Sequence, residues 1–340
     1  MKKVTYLGLG AWGYCLASLL AGTGRMSVVG WTTDTRLAAY LQAGMHHPRL
    51  TGFPMPKNMR VTTDLQEALQ GADLLVESVT SKGLRTVLEQ VRSVQEKESS
   101  LDQTPPLVLT SKGIEQETLL TLPEVATEVF PEEMRPQIGL LSGPSFADDV
   151  IRQLPTSVVA TGYNQAVIDT ILSAFTTPFF RVYPNADWLG VSLGGALKNI
   201  IAIACGVAEG LALGASARAA LMTRGLHEMR KLAVVCGAEP QTLSGLSGMG
   251  DLCATCQSTL SRNFRFGKLL ADRLSAQEAQ EKIGMVVEGA NTCHAALSLG
   301  RKKGVVLPIA EAVEAIMDLR LDPREADQQL MRRSVKEEHL

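Results

Sequence analysis

The sequence has no excess of positive charge. Its 33 lysines and arginines stand against 35 aspartates and glutamates, a formal net charge of −2 at pH 7. A broad nucleic-acid surface needs a clustered basic surplus, so no nucleic-acid partner is expected, although a small cationic pocket remains compatible. There is no cysteine framework either. Cys15, Cys205, Cys236, Cys253, Cys256 and Cys293 are scattered and read as reduced thiols of a cytosolic protein. Cys253-Ala254-Thr255-Cys256 is a lone CxxC without two further ligands at zinc-site spacing, so no metal is expected. Long apolar runs are nearly missing as well. One stretch, Trp188 to Ala208, approaches the roughly 20 residues of a membrane span. It carries Lys198-Asn199 at its middle and four glycines, and it has no companion, so no stable membrane insertion is expected. At the start, Met1-Lys2-Lys3 and an apolar run imitate a targeting peptide. Gly8, Gly10, Gly13 and Gly22 interrupt that run and a periodic pattern continues past it. No targeting segment is read, and the protein is expected in the cytoplasm.

What is present fits a two-domain enzyme. A chain of 340 residues suggests about two domains and can bury roughly three quarters of its unfolded surface without staples. The first half opens with a short apolar run, Val4 to Leu9, followed by Gly8-Leu9-Gly10-Ala11-Trp12-Gly13. Leu16, Leu19 and Leu20 then repeat at helical spacing, and Met26 to Trp31 is a second strand. Strand, GxGxxG turn, helix and strand is the setting in which this motif binds a dinucleotide. Gly8 allows the tight turn, Gly10 lets a pyrophosphate reach the backbone, and Gly13 lets helix and strand pack closely. A structural glycine turn is the bland alternative. Past the second strand stand Thr32-Thr33-Asp34. Arg36 lies beyond, but no arginine directly follows Trp31 to take a 2′-phosphate, which mildly favours NAD over NADP.

Further strands are predicted at 61–62, 74–79, 107–110, 138–141, 157–161 and 179–183. Helices are predicted between most of them, at 33–43, 64–70, 82–96, 117–128 and 165–175, and the segment from Glu98 to Pro106 reads as a loop. The alternation predicts an α/β fold: a Rossmann-like, doubly wound, mostly parallel sheet with ligands at the carboxyl ends of its strands. Two motifs fall at such ends, Ser111-Lys112-Gly113 and Ser142-Gly143-Pro144-Ser145-Phe146-Ala147. Alone, Lys112 reads equally well as a surface lysine.

After Pro184 only helices are convincing. The boundary is placed near 186, giving a dinucleotide-binding domain over 1–186 and an all-α substrate domain over 187–340. Ser216 to Cys236 is an amphipathic helix with Gly237 as its cap, and the segment 325–340 is charged and reads as mobile at its end. Ser275-x-x-Glu278 and Asp322-x-x-Glu325 have the spacing of capping boxes, and Pro308 and Pro323 suit first helical turns. The helix from Trp188 is apolar or small on nearly every face, so it should be buried all round. Lys198 is then a desolvated ammonium, either functional or reaching the surface along its stem. Glycines crowd Gly245 to Leu252, which marks a close backbone approach. Ser261-Arg262-Asn263 groups a hydroxyl, a guanidinium and an amide suited to a phosphate, while Ser261 alone would make a plain helix cap.

Together, Gly8-x-Gly10-x-Trp12-Gly13, Ser111-Lys112-Gly113-Ile114-Glu115, Gly143-Pro144-Ser145-Phe146-Ala147 and Leu197-Lys198-Asn199 continue with Gly248-x-Gly250-Asp251-Leu252, Ser261-Arg262-Asn263 and Val286-Val287-Glu288-Gly289. In this order, from Gly8 to about Leu319, they resemble the bacterial NAD(P)-dependent sn-glycerol-3-phosphate dehydrogenases. The resemblance implies reversible reduction of dihydroxyacetone phosphate to sn-glycerol 3-phosphate, a supply for glycerophospholipid synthesis. It implies that Lys198 exchanges a proton with the C2 oxygen. It places Lys112, Gly143, Ser145, Asp251, Ser261, Arg262 and Asn263 at substrate positions beside Lys198. Gly8, Gly10, Ala11, Trp12, Gly13, Thr33, Lys112, Ala147, Arg262, Val286 and Glu288 match cofactor positions. Ala11 replaces the family's serine, Thr80 interrupts a frequent Val-Pro-Ser, and Thr32 or Thr33 stands where a basic residue is common. All three departures surround the cofactor. Rivals are a two-domain reductase of the β-hydroxyacid or ketopantoate type, recognising a carboxylate, and a nicotinamide-nucleotide sensor without turnover. A homodimer is open.

Overall fold

The computed structural model describes residues 1–97 and 105–333. Residues 98–104 of the predicted loop and 334–340 of the charged tail lie outside the described residues. The chain divides into two compact units, Met1–Ser111 with Leu122–Trp188 and Lys112–Thr121 with Leu189–Leu340.

In the first unit, eight strands among the described residues form one sheet. They are β1 (Lys2–Leu7), β2 (Met26–Trp31), β3 (Met59–Thr62), β4 (Leu74–Glu77), β5 (Leu107–Leu109), β6 (Ile138–Ser142), β7 (Thr156–Gly162) and β8 (Phe180–Pro184). Their order is β3-β2-β1-β4-β5-β6-β7-β8. All neighbours run parallel except β6 and β7. Every predicted strand is present, with each end within two residues of its expected position. The central strands are buried on both faces, with Val4, Thr5, Tyr6 and Leu7 all fully buried, as a parallel sheet covered by helices requires. Pro184, which cannot donate to a ladder, sits on the edge strand β8. The strand order reverses at β1 and β4, so the ligand crevice of this fold opens at their carboxyl ends.

The connecting helices are α1 (Ala11–Gly22), α2 (Thr35–Gln42), α3 (Leu65–Leu69), α4 (Leu84–Lys97), α5 (Leu122–Val129), α6 (Ala147–Ile151) and α7 (Gln165–Phe175). Asp34, Asp64 and Asn164 cap α2, α3 and α7 through side-chain oxygens. The helix expected over 117–128 starts at Leu122 instead. Pro123 fits the first turn of α5 but would break a helix begun at 117. The preceding segment pairs Ile114 with Thr121 in an antiparallel bridge, and Leu119 takes a left-handed φ of 64°. Ile114, 2% exposed, belongs to the core of the second unit.

That second unit holds α8 (Trp188–Gly210), α9 (Gly214–Cys236), α10 (Asp251–Gln257), α11 (Arg262–Ala271), α12 (Ala276–Ile283), α13 (Glu288–Lys303), α14 (Pro308–Met317) and α15 (Pro323–Met331). Among the described residues α8 alone is long and apolar enough to cross a membrane, and it is buried inside the protein. Its glycines explain how. A Cβ on Gly194 would stand 2.6 Å from Ser247 O, and one on Gly206 would stand 2.1 Å from Phe264 O. Gly267 of α11 answers from the other side, with Ile203 O only 2.0 Å from its Cβ position. Backbone therefore lies against backbone, which only residues without a side chain permit. The glycine-rich stretch forms a wide turn over Leu246–Gly250 that leads into α10. Ser275 and Glu278 form the expected capping box. Asp322 departs from that spacing and caps α15 through the Arg324 N–H. Gly237 closes α9 at a left-handed φ of 106°.

Candidate active site

The first unit gathers the glycine turn. Gly8 takes φ +93°, and a Cβ there would stand 2.9 Å from both Ser78 O and Val79 Cγ1. A Cβ on Gly13 would stand 2.0 Å from Gly8 O, so this glycine seats α1 on the sheet. Gly10 differs: no protein atom lies within 4 Å of its Cβ position. It caps α1 without a side chain, leaving the first N–H groups and the positive dipole end open to an anion. The turn thus fits a dinucleotide pyrophosphate. Ala11 and Trp12 are half-buried at the start of α1. Ala147 lies against the same helix, with the Cys15 thiol donating to its carbonyl at 3.4 Å. Thr33 is exposed beyond β2. The Asp34 carboxylate is engaged in capping, accepting from Leu37 N at 2.9 Å. Gly143 and Ser145 follow β6. Gly143, at φ +141°, comes so near Val158 that a Cβ would stand 2.9 Å from its Cα. The Ser145 hydroxyl donates to Gly143 O at 3.1 Å.

The second unit assembles the charged residues. Lys198, 7% exposed, and Asp251, 1% exposed, face one another between α8 and α10. Lys198 Nζ donates to Asp251 Oδ1 and to Thr255 Oγ1, both at 2.6 Å. Thr255 is oriented to accept because its own hydroxyl donates to Asp251 O at 2.6 Å. Lys112 Nζ donates to the other carboxylate oxygen, Asp251 Oδ2, at 2.6 Å. One carboxylate thus holds two ammonium groups, and the triad carries a net positive charge. Burial pushes the Lys198 ammonium down to about 8. The Asp251 carboxylate opposes that shift, and the second ammonium, Lys112, adds to it.

One residue along α8, Asn199 links this triad to the Ser261-Arg262-Asn263 group. Asn263 Nδ2 donates to Asn199 Oδ1 at 2.8 Å, and Asn263 Oδ1 accepts from Gly289 N at 2.9 Å. Glycine fits at 289 because a Cβ there would be 2.6 Å from that same oxygen and 2.8 Å from the backbone Asn199 O. Ser261 caps α11, accepting from Phe264 N at 3.2 Å, so the plain cap reading holds for its oxygen while its proton stays available. Arg262 is exposed and reaches Val286 O at 3.0 Å. Glu288 opens α13. Sequence reasoning brought out neither Thr255 nor Asn199 as partners. Thr255 follows Asp251 by four residues, which is one face of a helix, and that spacing was a usable signal.

Comparison with known proteins agrees with this geometry. The family model for the N-terminus of NAD-dependent glycerol-3-phosphate dehydrogenase matches residues 3–168, and the model for its C-terminus matches 187–328. A glycerol-3-phosphate dehydrogenase [NAD(P)+] of Protochlamydia amoebophila is 59% identical over 340 residues, covering 100% of both chains. One of Chlamydia felis is 47% identical over 339 residues, covering 100% of this chain and 99% of the relative. A crystal structure of glycerol-3-phosphate dehydrogenase from Coxiella burnetii superposes with a TM-score of 0.90 at 34% identity, covering 98% of this chain and 99% of that one. The chain belongs to the NAD-dependent glycerol-3-phosphate dehydrogenase family.

Proposed function

We propose that Lys198 is the group that exchanges a proton with the C2 oxygen when this NAD(P)-dependent oxidoreductase interconverts dihydroxyacetone phosphate and sn-glycerol 3-phosphate. The observation that carries this reading is the orientation of one buried ammonium. Two of the three Lys198 donors are taken by Asp251 and Thr255. That leaves one N–H for a substrate oxygen. A nicotinamide held by the glycine turn would supply the hydride. Reduction of a carbonyl leaves an alkoxide, and an ammonium titrating near neutrality both stabilises that charge and donates the proton. Asp251 keeps Lys198 oriented and charged, while Lys112 makes the triad net positive toward a substrate carrying nearly two negative charges. Arg262 is the phosphate counter-ion, with Asn263 and the Ser261 hydroxyl completing its hydrogen bonds. Gly143 and Ser145 are further substrate contacts.

The fingerprint residues Gly8, Gly10, Ala11, Trp12 and Gly13, with Thr33 and Ala147, hold the dinucleotide. Lys112, Arg262, Val286 and Glu288 are further cofactor residues by their match to the family's positions. NAD is favoured over NADP because no arginine directly follows Trp31. The product feeds glycerophospholipid synthesis from the cytoplasm. A nucleotide sensor has no use for a buried ammonium with an open donor.

A spectrophotometric assay tests this reading. Dihydroxyacetone phosphate should drive oxidation of NADH, and the ratio of rates with NADH and NADPH sets the cofactor. Equal rates with a non-phosphorylated ketone would remove Arg262 from the phosphate site, and bound NADH without oxidation would return the sensor.

A further inference from the structure

A second buried acid stands outside the triad. Glu77 ends β4, at the point where the strand order of the sheet reverses, and it is fully buried. Its Oε1 accepts from Val79 N at 2.5 Å and lies 2.6 Å from Ser111 Oγ. Its Oε2 is buried without a hydrogen-bond partner. An ionised carboxylate is acceptor-only and pays heavily for a bare oxygen in the interior, whereas a neutral acid pays much less.

The proton count points the same way. Ser111 Oγ is 2.6 Å from Glu77 Oε1 and 2.5 Å from Val79 O, both short enough to require a hydrogen between them. A hydroxyl has one proton and can fill one of these contacts. If it points to Val79 O, the other contact needs a proton from the carboxyl. A neutral Glu77 closes the ring: its Oε1–H donates to Ser111 Oγ, Ser111 donates to Val79 O, and Val79 N donates back to Oε1. Burial also pushes this carboxyl up to about 7. The groups facing it are the Val79, Thr110 and Ser111 backbone amides and the Ser111 hydroxyl. Tyr6 on β1, with Cys15 on α1 beyond it, supplies the titratable neighbours, and burial pushes both up, keeping them neutral.

The ring sits under the dinucleotide turn. Val79 Cγ1 and Ser78 O are the atoms that would meet a Cβ on Gly8, the first fingerprint glycine. Ser111 is the last residue before the chain passes into the second unit at Lys112. One carboxyl thus ties the carboxyl ends of β4 and β5 to the glycine turn after β1. We infer that Glu77 is a positioning residue of the dinucleotide crevice and that it acts as a neutral carboxylic acid, donating its proton to Ser111. Loss of that proton places a charge in the interior and opens the ring, so dinucleotide affinity falls as pH rises.

The inference rests on dinucleotide binding by this crevice but not on the roles given to Lys198 or Arg262. The test is the NADH dissociation constant, read by nicotinamide fluorescence between pH 6 and pH 8.5 without substrate. Wild-type binding should weaken at least about fivefold over this range, since proton linkage allows up to tenfold per pH unit. Glu77→Gln removes the titrating group and should flatten that slope to less than about twofold. Glu77→Met, an apolar replacement that needs no hydrogen bond in the interior, covers the case in which the glutamine variant does not fold. It should bind NADH more weakly than wild type at pH 6, also without the slope. A wild-type slope that persists in the folded variants, or a flat wild-type profile, would overturn the inference. Absence of NADH binding by wild type at any pH would instead strike the dinucleotide reading itself.

Discussion

Gly194 and Lys198 stand one helical turn apart on α8, and the residues they meet, Ser247 and Asp251, are also four apart. The close contact of Gly194 with Ser247 O sets the height at which the wide turn crosses α8. One turn further on, the Asp251 carboxylate arrives within 2.6 Å of the ammonium. A packing glycine and a buried, paired lysine are thus two ends of one register.

Gly194→Ala should therefore disturb chemistry as well as packing. A methyl 2.6 Å from a backbone oxygen must displace it, and overpacking of this kind costs about 1–3 kcal/mol. Thermal unfolding should shift down, and dihydroxyacetone phosphate reduction should fall with it. Wild-type turnover in a folded, destabilised variant would show that the triad does not depend on this contact.

With Lys198 titrating at about 8, the two directions should show opposite pH limbs. In the role proposed for Lys198, ketone reduction draws on the ammonium and should decline as pH rises through 8, while glycerol 3-phosphate oxidation draws on the free amine and should rise through the same point. Asp251→Asn removes the charge that raises this pKa and should move both limbs to lower pH. Lys198→Ala should cut turnover by at least ~10²-fold, as loss of a general acid does, with NADH binding kept. Coincident limbs in both directions would assign the proton to another group.

Gly10→Val separates the fold from the cofactor. No protein atom lies within 4 Å of the Cβ position, and φ −61° suits any residue. Thermal stability should be close to wild type, while the branched side chain occupies the pyrophosphate approach. NADH affinity should drop by at least about tenfold, or ~1.4 kcal/mol. Titration of NADH into the folded variant checks this, and unchanged affinity would move the phosphates away from the turn.

Arg262→Ala should act on KM. A charge-assisted phosphate contact is worth ~1.5–3 kcal/mol. The loss should appear with dihydroxyacetone phosphate and not with a non-phosphorylated ketone. Equal losses for both would mean that the guanidinium serves the fold through Val286 O.

Much of this was readable from local pattern. Runs such as Met26 to Trp31 are buried on both faces of a parallel sheet, so apolar continuity alone marks them. Every side of α8 is covered, which its lack of a polar face announced. Lys198 and Asp251, 53 residues apart, could be paired only through a resemblance. Helix period could not expose the segment 112–121, because Ile114 is committed to a core whose other buried members begin with Leu193, 79 residues later in the chain. Glu77 falls inside the strand predicted over 74–79, where no local pattern marks it, and only the crowding of Val79 and Ser111 about one oxygen singles it out.

The chain passes between its two units at three places: after Ser111, after Thr121 and after Trp188. Lys112–Thr121 is therefore made during synthesis well before the helices that enclose Ile114. It must wait, unburied, until α8 and its neighbours exist. No single cut separates the units either. A fragment beginning at Leu189 would carry Lys198 and Asp251 but leave Asp251 one cation short and the core without Ile114. Swapping the helical half between relatives thus requires exchange of a ten-residue strap from the other half of the gene.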